Sequence, residues 1–218
     1  MPEPATTSRA ECAFAVVERE LTAEGGPHEV GLPTFPSRRF VSAGGLTLVH
    51  EGLLEYEIVD EGRALALTLL RCTGMLSGTD FTYRPWPAGP PVPAEGAQIQ
   101  GPQTLRYGVQ LGEADPYAVA DEAFLPLEVV RARGGGWRPP SGQALRVSGA
   151  EVSAVRRQGG VLEVRVFNPS EETTTVVVDE GRGWLVDLRG RPREPFEGSF
   201  ALRPWGIATM RLSEADLF

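Results

Sequence analysis

The chain has 218 residues with 21 basic and 29 acidic side chains, so its formal net charge at pH 7 is -8. Nucleic-acid affinity depends mainly on neutralising phosphates, so this balance disfavours a nucleic-acid partner, and the 41% hydrophobic content excludes a disordered tail. No run approaches the roughly eighteen apolar residues that cross a bilayer, and residues 1–19 lack a signal-peptide pattern, so we expect no membrane partner and a cytoplasmic location.

Short segments rich in β-branched and aromatic residues, bounded by Gly or Pro, recur along the whole chain. Their alternation of polar and apolar residues predicts strands, and no segment carries apolar residues at helical spacing over three turns. Residues 115–124 come nearest to a helix, of one or two turns. The sequence therefore predicts an all-β protein, with strands at residues 13–19, 46–50, 54–59, 64–72, 104–110, 124–130, 145–149, 152–157, 161–168, 173–179, 183–187 and 208–212.

The first predicted strand lacks an obvious neighbour. Residues 2–10 are polar and are expected to form a linker, whereas residues 13–19 already have the pattern of a strand. Either this strand pairs with a segment far along the chain, or a preceding segment that is missing here supplies its partner.

The sequence has two regions that differ in the length of the connections between predicted strands. Up to residue 142, long Gly/Pro-rich connections separate the strands, and the prolines of residues 83–101 forbid a central strand there. After the segment 133–142 the strands follow closely, and Gly159 with Gly160 predicts a hairpin, since glycines supply the positive φ of tight turns. We therefore predict a first domain at residues 1–142 and a small β-sandwich of six or seven strands at residues 143–218.

Several blocks in a fixed order carry a resemblance to one enzyme family. The most specific are EGLLEYE at residues 51–57 and LTLLR at residues 67–71, followed by TGMLS. Others are AGP (88–90), GAQ (96–98), FNPS (167–170) and the closing LRPWGIATMRL (202–212). Together these blocks resemble the C-terminal β-rich region of bacterial glycoside hydrolase family 38, the α-mannosidases, over nearly the whole chain.

The resemblance implies the later part of a galactose-mutarotase-like supersandwich, followed by a small terminal β-sandwich. In the family, an N-terminal α/β domain holds zinc through Asp and His residues, with one Asp as nucleophile and a second carboxylic acid as acid/base. None of that domain's motifs occurs in these 218 residues. The resemblance therefore implies no catalytic residue, metal or cofactor in this chain, with zinc expected in the N-terminal catalytic domain that would be its partner.

The irregular connection of residues 71–101 is where we expect any contact with carbohydrate. It contains five side chains suited to sugar recognition, since aromatic faces and forked donors match a pyranose. Long loops in compact domains often carry function, and the resemblance implies that this region lends side chains to the rim of the cleft. The alternative is that the loop packs on the catalytic domain or caps a sheet edge. The candidates are Arg71, Asp80, Tyr83, Arg84 and Trp86.

Other chemistry has weaker support in the sequence. Glu55 and Glu57 share a strand face, but we expect a solvated face rather than the carboxyl pair of a glycosidase. His28 and His50 have no close-spaced ligand partners, so a metal site is not expected. The glycine run at residues 134–136 precedes no helix that could hold a phosphate, so it is interpreted as a linker.

The cysteines and three of the tryptophans are expected to be structural. Cys12 and Cys72 are too few for a disulfide framework and are predicted to be free thiols, with Cys72 buried at a strand end. Trp137, Trp184 and Trp205 lie beside turns or strand ends, where we expect them to anchor the core. If they formed an exposed line instead, they would indicate a carbohydrate-binding platform.

Three functions remain open from the sequence. The first is a noncatalytic β domain that supports an α-mannosidase-like catalytic domain and its cleft rim. The second is a free-standing carbohydrate-binding module, and the third is a mutarotase-like epimerase, which would need a His and a carboxylate converging in a concave face. An isolated chain of the first kind is expected to expose strand edges and apolar surface, which self-association into a homo-oligomer would cover.

Overall fold

The computed structural model describes residues 1–52, 54–79, 81, 83–131, 135 and 141–212. Strands make up 46% of it and helices 6%, which confirms the predicted all-β class. Within the described residues, no helix combines the length and the apolar character needed to cross a membrane. The chain divides into two compact units, Met1–Ala13 with Val17–Pro126, and Phe14–Val16 with Leu127–Phe218. The predicted domain boundary at residue 142 stays a prediction, because residues 136–140 lie outside the described part.

The first unit forms two sheets among its described residues. One has five strands in the order β2-β1-β4-β5-β8, and the other has three in the order β3-β6-β7. The antiparallel partners include β4 with β5 and β5 with β8. The strands are β1 (Thr7–Cys12), β2 (Ala15–Glu20), β3 (Thr34–Ser37), β4 (Phe40–Ala43), β5 (Leu46–His50), β6 (Leu54–Val59), β7 (Ala64–Thr68) and β8 (Tyr107–Leu111).

The α-helix α1 (Pro116–Phe124) packs on the first sheet. The Asp115 side chain accepts a hydrogen bond from Tyr117 N at 3.0 Å, and a proline occupies the first turn, so the start of the helix is capped and preorganised. The buried Tyr117 ring meets Phe40 of β4 edge-to-face, with centroids 5.0 Å apart. These contacts explain why the segment makes a helix of 9 residues, longer than the one or two turns expected.

The second unit contains one six-stranded sheet among its described residues, in the order β10-β11-β14-β12-β13, with β9 paired to β12. Gly159 and Gly160 have φ of 60° and 78° and join β10 to β11, which confirms the predicted hairpin. The core side chains include Val164, Val166 and Met210, all fully buried. The strands are β9 (Val147–Ser148), β10 (Glu151–Gln158), β11 (Val161–Phe167), β12 (Thr174–Val186), β13 (Pro192–Leu202) and β14 (Ile207–Leu212).

The opening of the chain corrects one prediction. Residues 2–10 are not a linker, because β1 begins at Thr7 and supplies the neighbour that β2 was expected to lack. The polar residues Ser8 and Glu11 of β1 are buried, at 1% and 0% exposed. They are buried because they have polar partners in the core, and Ser8 Oγ lies 2.8 Å from the Tyr56 hydroxyl.

Other predictions are wrong as well. The apolar residues 124–130 are not a strand, since α1 runs to Phe124 and the following segment leaves Leu127 96% exposed. The strands predicted at residues 173–179 and 183–187 are one long strand, β12. Cys12 and Cys72 are free, but Cys72 is exposed rather than buried, because β7 ends earlier, at Thr68.

The tryptophans do not anchor the core as expected. Trp184 is 46% exposed and Trp205 is 52% exposed, because each belongs to a surface position rather than to the inner face of the sheet. Trp137 lies outside the described residues. The aromatic anchors of the second core are instead phenylalanines such as Phe196, which meets Phe200 edge-to-face at 5.3 Å.

Candidate carbohydrate-contacting site

Two tight turns of the first unit lie side by side and bring Tyr83 next to residues 26–30. In one turn Gly26 N donates to Glu29 O at 3.0 Å, and in the other Arg84 N donates to Phe81 O at 3.4 Å. Val30 N donates to Tyr83 O at 2.8 Å and joins the two turns. Main-chain hydrogen bonds therefore fix the positions from which the side chains of this region extend.

The side chains on these turns combine an aromatic pair with an ion pair. The rings of Phe81 and Tyr83 stack with centroids 5.0 Å apart and an angle of 21°. Arg84 Nε donates to Glu29 Oε2 at 2.9 Å. A Cβ on Gly78 would lie 2.4 Å from Cζ of Phe81, so the ring depends on a glycine beneath it. We call this group the aromatic turn: Phe81, Tyr83, Arg84 and Glu29.

The aromatic turn has the chemistry of a sugar contact. Phe81 is 39% exposed and Tyr83 is partly buried, so part of the stacked pair faces solvent. An apolar ring face can pack on a pyranose face, while a charged pair held in place can bind neighbouring hydroxyls. This is the part of the connection 71–101 in which the structure brings predicted site residues together.

The other three predicted residues have different surroundings. Arg71 pairs with Glu55 of β6, through Nη2 to Oε1 at 3.0 Å and Nε to Oε2 at 3.2 Å. Trp86 is 65% exposed, and Asp80 lies outside the described residues. The contact between Glu55 and Arg71 agrees with a solvated strand face, since both side chains are more than a third exposed.

The rest of the long connection is held by hydrogen bonds within itself. Leu76 N donates to Val92 O at 2.8 Å, and Ala94 N donates to Gly74 O at 3.0 Å. Gly89 N donates to the Ser77 hydroxyl at 3.1 Å. The described residues of the proline-rich segment therefore fold back on residues 74–77 and pair with neither sheet of the first unit.

A groove of about 570 Å³ in the first unit is lined by none of the predicted site residues that the structure describes. Arg19 lies over the Phe35 ring at 5.1 Å from its centroid and donates from Nη2 to Cys12 Sγ at 3.3 Å. Phe35 follows Arg19 by sixteen positions on another sheet, so no short sequence motif could have indicated this combination. The groove is lined by Arg19, Glu20, Thr22, Ala23, Glu24 and Phe35.

His50 is part of the core rather than of a reactive site. It is fully buried, and its Nε2 lies 2.8 Å from the Ser37 hydroxyl. The single hydroxyl hydrogen of Ser37 is donated to Phe40 O at 2.8 Å, so Nε2 of His50 must carry the proton that reaches Ser37. Burial lowers the pKa of His50, which keeps the ring neutral at pH 7.

This geometry removes the support for an epimerase that uses a histidine base. A fully buried His50 cannot reach a substrate, and His28 is exposed on the turn Gly26 to Glu29 rather than placed in the groove. In the described part of the chain, no three His, Cys, Asp or Glu side chains lie close enough together to hold a metal ion.

Among known proteins, the structure of an α-mannosidase is similar to this chain. No protein-family model matches the chain, and no curated protein matches it. The chain is similar to the crystal structure of an α-mannosidase from Enterococcus faecalis V583, with a TM-score of 0.69 and 25% sequence identity. The match covers 98% of this chain and 25% of that protein. The fold thus has a counterpart within an α-mannosidase about four times as long as this chain.

Proposed function

We propose that this chain is the noncatalytic C-terminal β-rich part of an α-mannosidase of glycoside hydrolase family 38. In this role it supports the catalytic domain of the same protein and forms part of the rim of the carbohydrate cleft. The observation that carries the proposal is the likeness to an α-mannosidase over 98% of this chain and 25% of that protein. Zinc and the catalytic carboxylates would belong to the catalytic domain.

An apolar row on β8 supports a docking role. β8 ends the five-stranded sheet, and Val109 lies opposite Leu48 of β5, so their side chains share one face. Leu48 is 8% exposed and belongs to the core, whereas the β8 side chains on that face are 57% to 62% exposed. We call these side chains the β8 row: Tyr107, Val109 and Leu111.

The β8 row lies on the same sheet face as core residues of β5, but its own side chains are exposed to water. Exposed apolar side chains grouped on one edge strand mark a surface that another protein segment covers. In the proposed enzyme that segment is the catalytic part of the same protein, which would account for most of the length beyond this chain. A polar edge strand would have argued for an independent domain.

The aromatic turn is the proposed contribution to the cleft rim. Its stacked rings and its Arg84–Glu29 pair offer one apolar surface and several hydrogen-bonding groups to a mannoside. The same features favour the second candidate, a free-standing carbohydrate-binding module without catalysis. The two candidates differ in whether the chain needs the catalytic domain in order to engage sugar.

The decisive experiment assays the purified chain with a chromogenic α-mannoside and zinc, alone and with the catalytic domain supplied as a separate polypeptide. We expect no turnover alone, and turnover that increases when both are present. Val109→Lys in the β8 row should reduce that increase, while Val177→Lys, at an exposed valine of β12 outside the row and the aromatic turn, should not. Turnover by the chain alone would contradict the noncatalytic role, and calorimetric binding of short mannosides by the chain alone would favour the binding module.

A further inference from the structure

Four side chains of the second unit lie directly opposite one another across four neighbouring strands. Arg156 of β10 faces Glu163 of β11, and Glu163 faces Arg211 of β14. Arg211 in turn faces Trp184 of β12. Opposite residues on adjacent strands share a face of the sheet, so the four side chains form one continuous row. We call it the outer row: Arg156, Glu163, Arg211 and Trp184.

The outer row lies on the side of the sheet away from the core. Val164 and Leu212 are the next residues along their strands, and both belong to the buried core, at 0% and 1% exposed. Successive side chains of a strand point to opposite faces, so Glu163 and Arg211 point outward. Arg156 is 54% exposed, Arg211 31% and Trp184 46%, so the row is open to a ligand.

Glu163 holds the two arginines of the row in place. Arg211 Nη2 donates to Oε1 at 2.6 Å, and Arg156 Nε donates to Oε2 at 2.7 Å, so each carboxylate oxygen has its own guanidinium. The Glu163 side chain is only 2% exposed beneath them. The hydrogen bond from Arg211 lowers the pKa of Glu163, which keeps it ionised at neutral pH. Glu163 is therefore a positioning residue that a ligand does not reach.

The charge of the outer row is opposite to that of the whole chain. Two guanidiniums against one carboxylate leave a net positive charge, in a protein whose formal charge is -8. Arg165 adds another positive side chain on the same face, where its Nε donates to Thr209 Oγ1 at 2.9 Å. Guanidinium forks match carboxylate oxygens geometrically, so this combination selects an anion over a cation or a neutral molecule.

A turn closes one side of the row. A Cβ on Gly190 would lie 2.6 Å from Arg211 Nη2 and 3.6 Å from Glu163 Oε1, so the backbone of this turn runs directly beside the ion pair. Gly190 has φ of 74°, and Asp187 fixes the turn by accepting hydrogen bonds from Arg189 N and Arg191 N. Arg211 is thus confined between the backbone of this turn and the neighbouring strand.

We propose that the outer row binds a saccharide that carries a carboxylate group. The sugar ring packs on Trp184, and the carboxylate accepts hydrogen bonds from the N–H groups of Arg156 and Arg211 that do not face Glu163. An indole face offers a pyranose a large apolar contact. Both oxygens of Glu163 are already occupied, so the row supplies donors without an exposed acceptor, which favours an anionic over a neutral sugar.

This inference does not depend on the proposed mannosidase role, because it concerns the second unit alone and a ligand other than a mannoside. It is tested with methyl β-glucuronide and methyl β-glucoside, which differ only in a carboxylate against a hydroxymethyl group. Binding to the whole chain is followed by NMR through the Trp184 indole N–H, assigned with Trp184→Phe. We expect a saturable shift with the glucuronide and affinity about tenfold weaker for the glucoside, as for loss of charge-assisted hydrogen bonds.

Two variants distinguish a loss of sugar binding from a loss of folded structure. Arg156→Gln removes one guanidinium but leaves Glu163 paired with Arg211, and it should weaken glucuronide binding about tenfold. The matched control is Arg146→Gln, at an exposed arginine of the same unit that pairs with Asp179 away from the row, and it should change nothing. Equal binding of both sugars, an equal response to acetate alone, no effect of Arg156→Gln, or no shift at all would each overturn the proposal.

Discussion

Arg39 donates to both carboxylate oxygens of Glu11, from Nε to Oε2 at 2.8 Å and from Nη2 to Oε1 at 3.0 Å. Glu11 is fully buried on β1, and Arg38 adds a third bond, to Oε1 at 2.9 Å. Arg39 also donates to Asp121 of α1 at 2.8 Å. A single buried carboxylate therefore ties β1 to the corner between β3 and β4, and through Arg39 to the helix.

The two arginines should differ in their effect on stability. Arg39→Met leaves Glu11 buried with one partner, so we expect a loss of about 3 kcal/mol in the free energy of unfolding. Arg38→Met keeps the two-bond contact with Arg39, and the Arg38 side chain is 48% exposed, so the loss should be about 1 kcal/mol or less. Urea unfolding followed by circular dichroism measures both, and equal losses would contradict the asymmetry.

The strand bounds were predicted correctly where the buried side chains of a strand are mainly apolar. The bounds of β5 and β6 match the predicted residues 46–50 and 54–59, and the apolar side chains at alternate positions, Leu46 and Leu48 of β5 with Tyr56 and Ile58 of β6, pack into one core. β1 was missed because its buried residues Ser8 and Glu11 are polar, and their partners lie 48 and 27 or 28 residues away. A buried polar side chain with hydrogen-bond partners in the core cannot be recognised from the periodicity of apolar residues.

Only part of the outer row could be predicted from the sequence. A two-glycine turn at Gly159 and Gly160 fixes the register of its hairpin, so the pairing of Arg156 with Glu163 follows from the sequence. Arg211 lies 48 residues beyond Glu163, and only the order of strands in the sheet brings it alongside. The same holds for Arg84 and Glu29, which are 55 residues apart.

Stability should depend on the titration of His50. Burial lowers its pKa in the folded state below the ordinary value of 6.5, so the unfolded chain binds this proton first as the pH falls. The free energy of unfolding should therefore decrease from about pH 6.5 downward and level off below the folded pKa.

Two histidine variants isolate this contribution. His50→Gln removes the proton uptake while keeping an amide that can reach Ser37, so unfolding should lose the pH dependence that begins at about pH 6.5. His28→Gln changes an exposed side chain and should retain the wild-type slope. Denaturant unfolding at closely spaced pH values provides the measurement. An unchanged slope in His50→Gln would show that another group titrates in this range.

The isolated chain should self-associate through the β8 row. β8 is the edge strand of its sheet among the described residues, and its apolar side chains, 57% to 62% exposed, favour pairing with another copy when no partner is present. Sedimentation velocity should show association that increases with concentration, and Val109→Asp should reduce it. Val30→Asp, at a valine 65% exposed outside any strand, is the control and should leave association unchanged. A monomer at high concentration in the unmodified chain would contradict this prediction.

Asn168, the one asparagine of the sequence, joins two turns of the second unit. Its Nδ2 donates to Glu172 O at 2.6 Å and to Arg203 O at 3.1 Å, and its Oδ1 accepts from Ser170 N at 3.1 Å. The side chain is 2% exposed, so water cannot replace these partners. The FNPS block therefore has a structural role, in which the amide supplies donors to carbonyl oxygens and an acceptor to a backbone N–H.

Asn168→Asp tests that role with almost no change of shape. An ionised carboxylate would face carbonyl oxygens, so the unfolding free energy should fall by about 3 kcal/mol at pH 7. The folded state would raise the pKa of this Asp, so the loss relative to the wild type should shrink at acidic pH, where the protonated acid can donate one hydrogen bond. Asn168→Ala should lose about 2 kcal/mol at both pH values. A loss in Asn168→Asp that does not change with pH would mean that the amide hydrogens are not the essential feature.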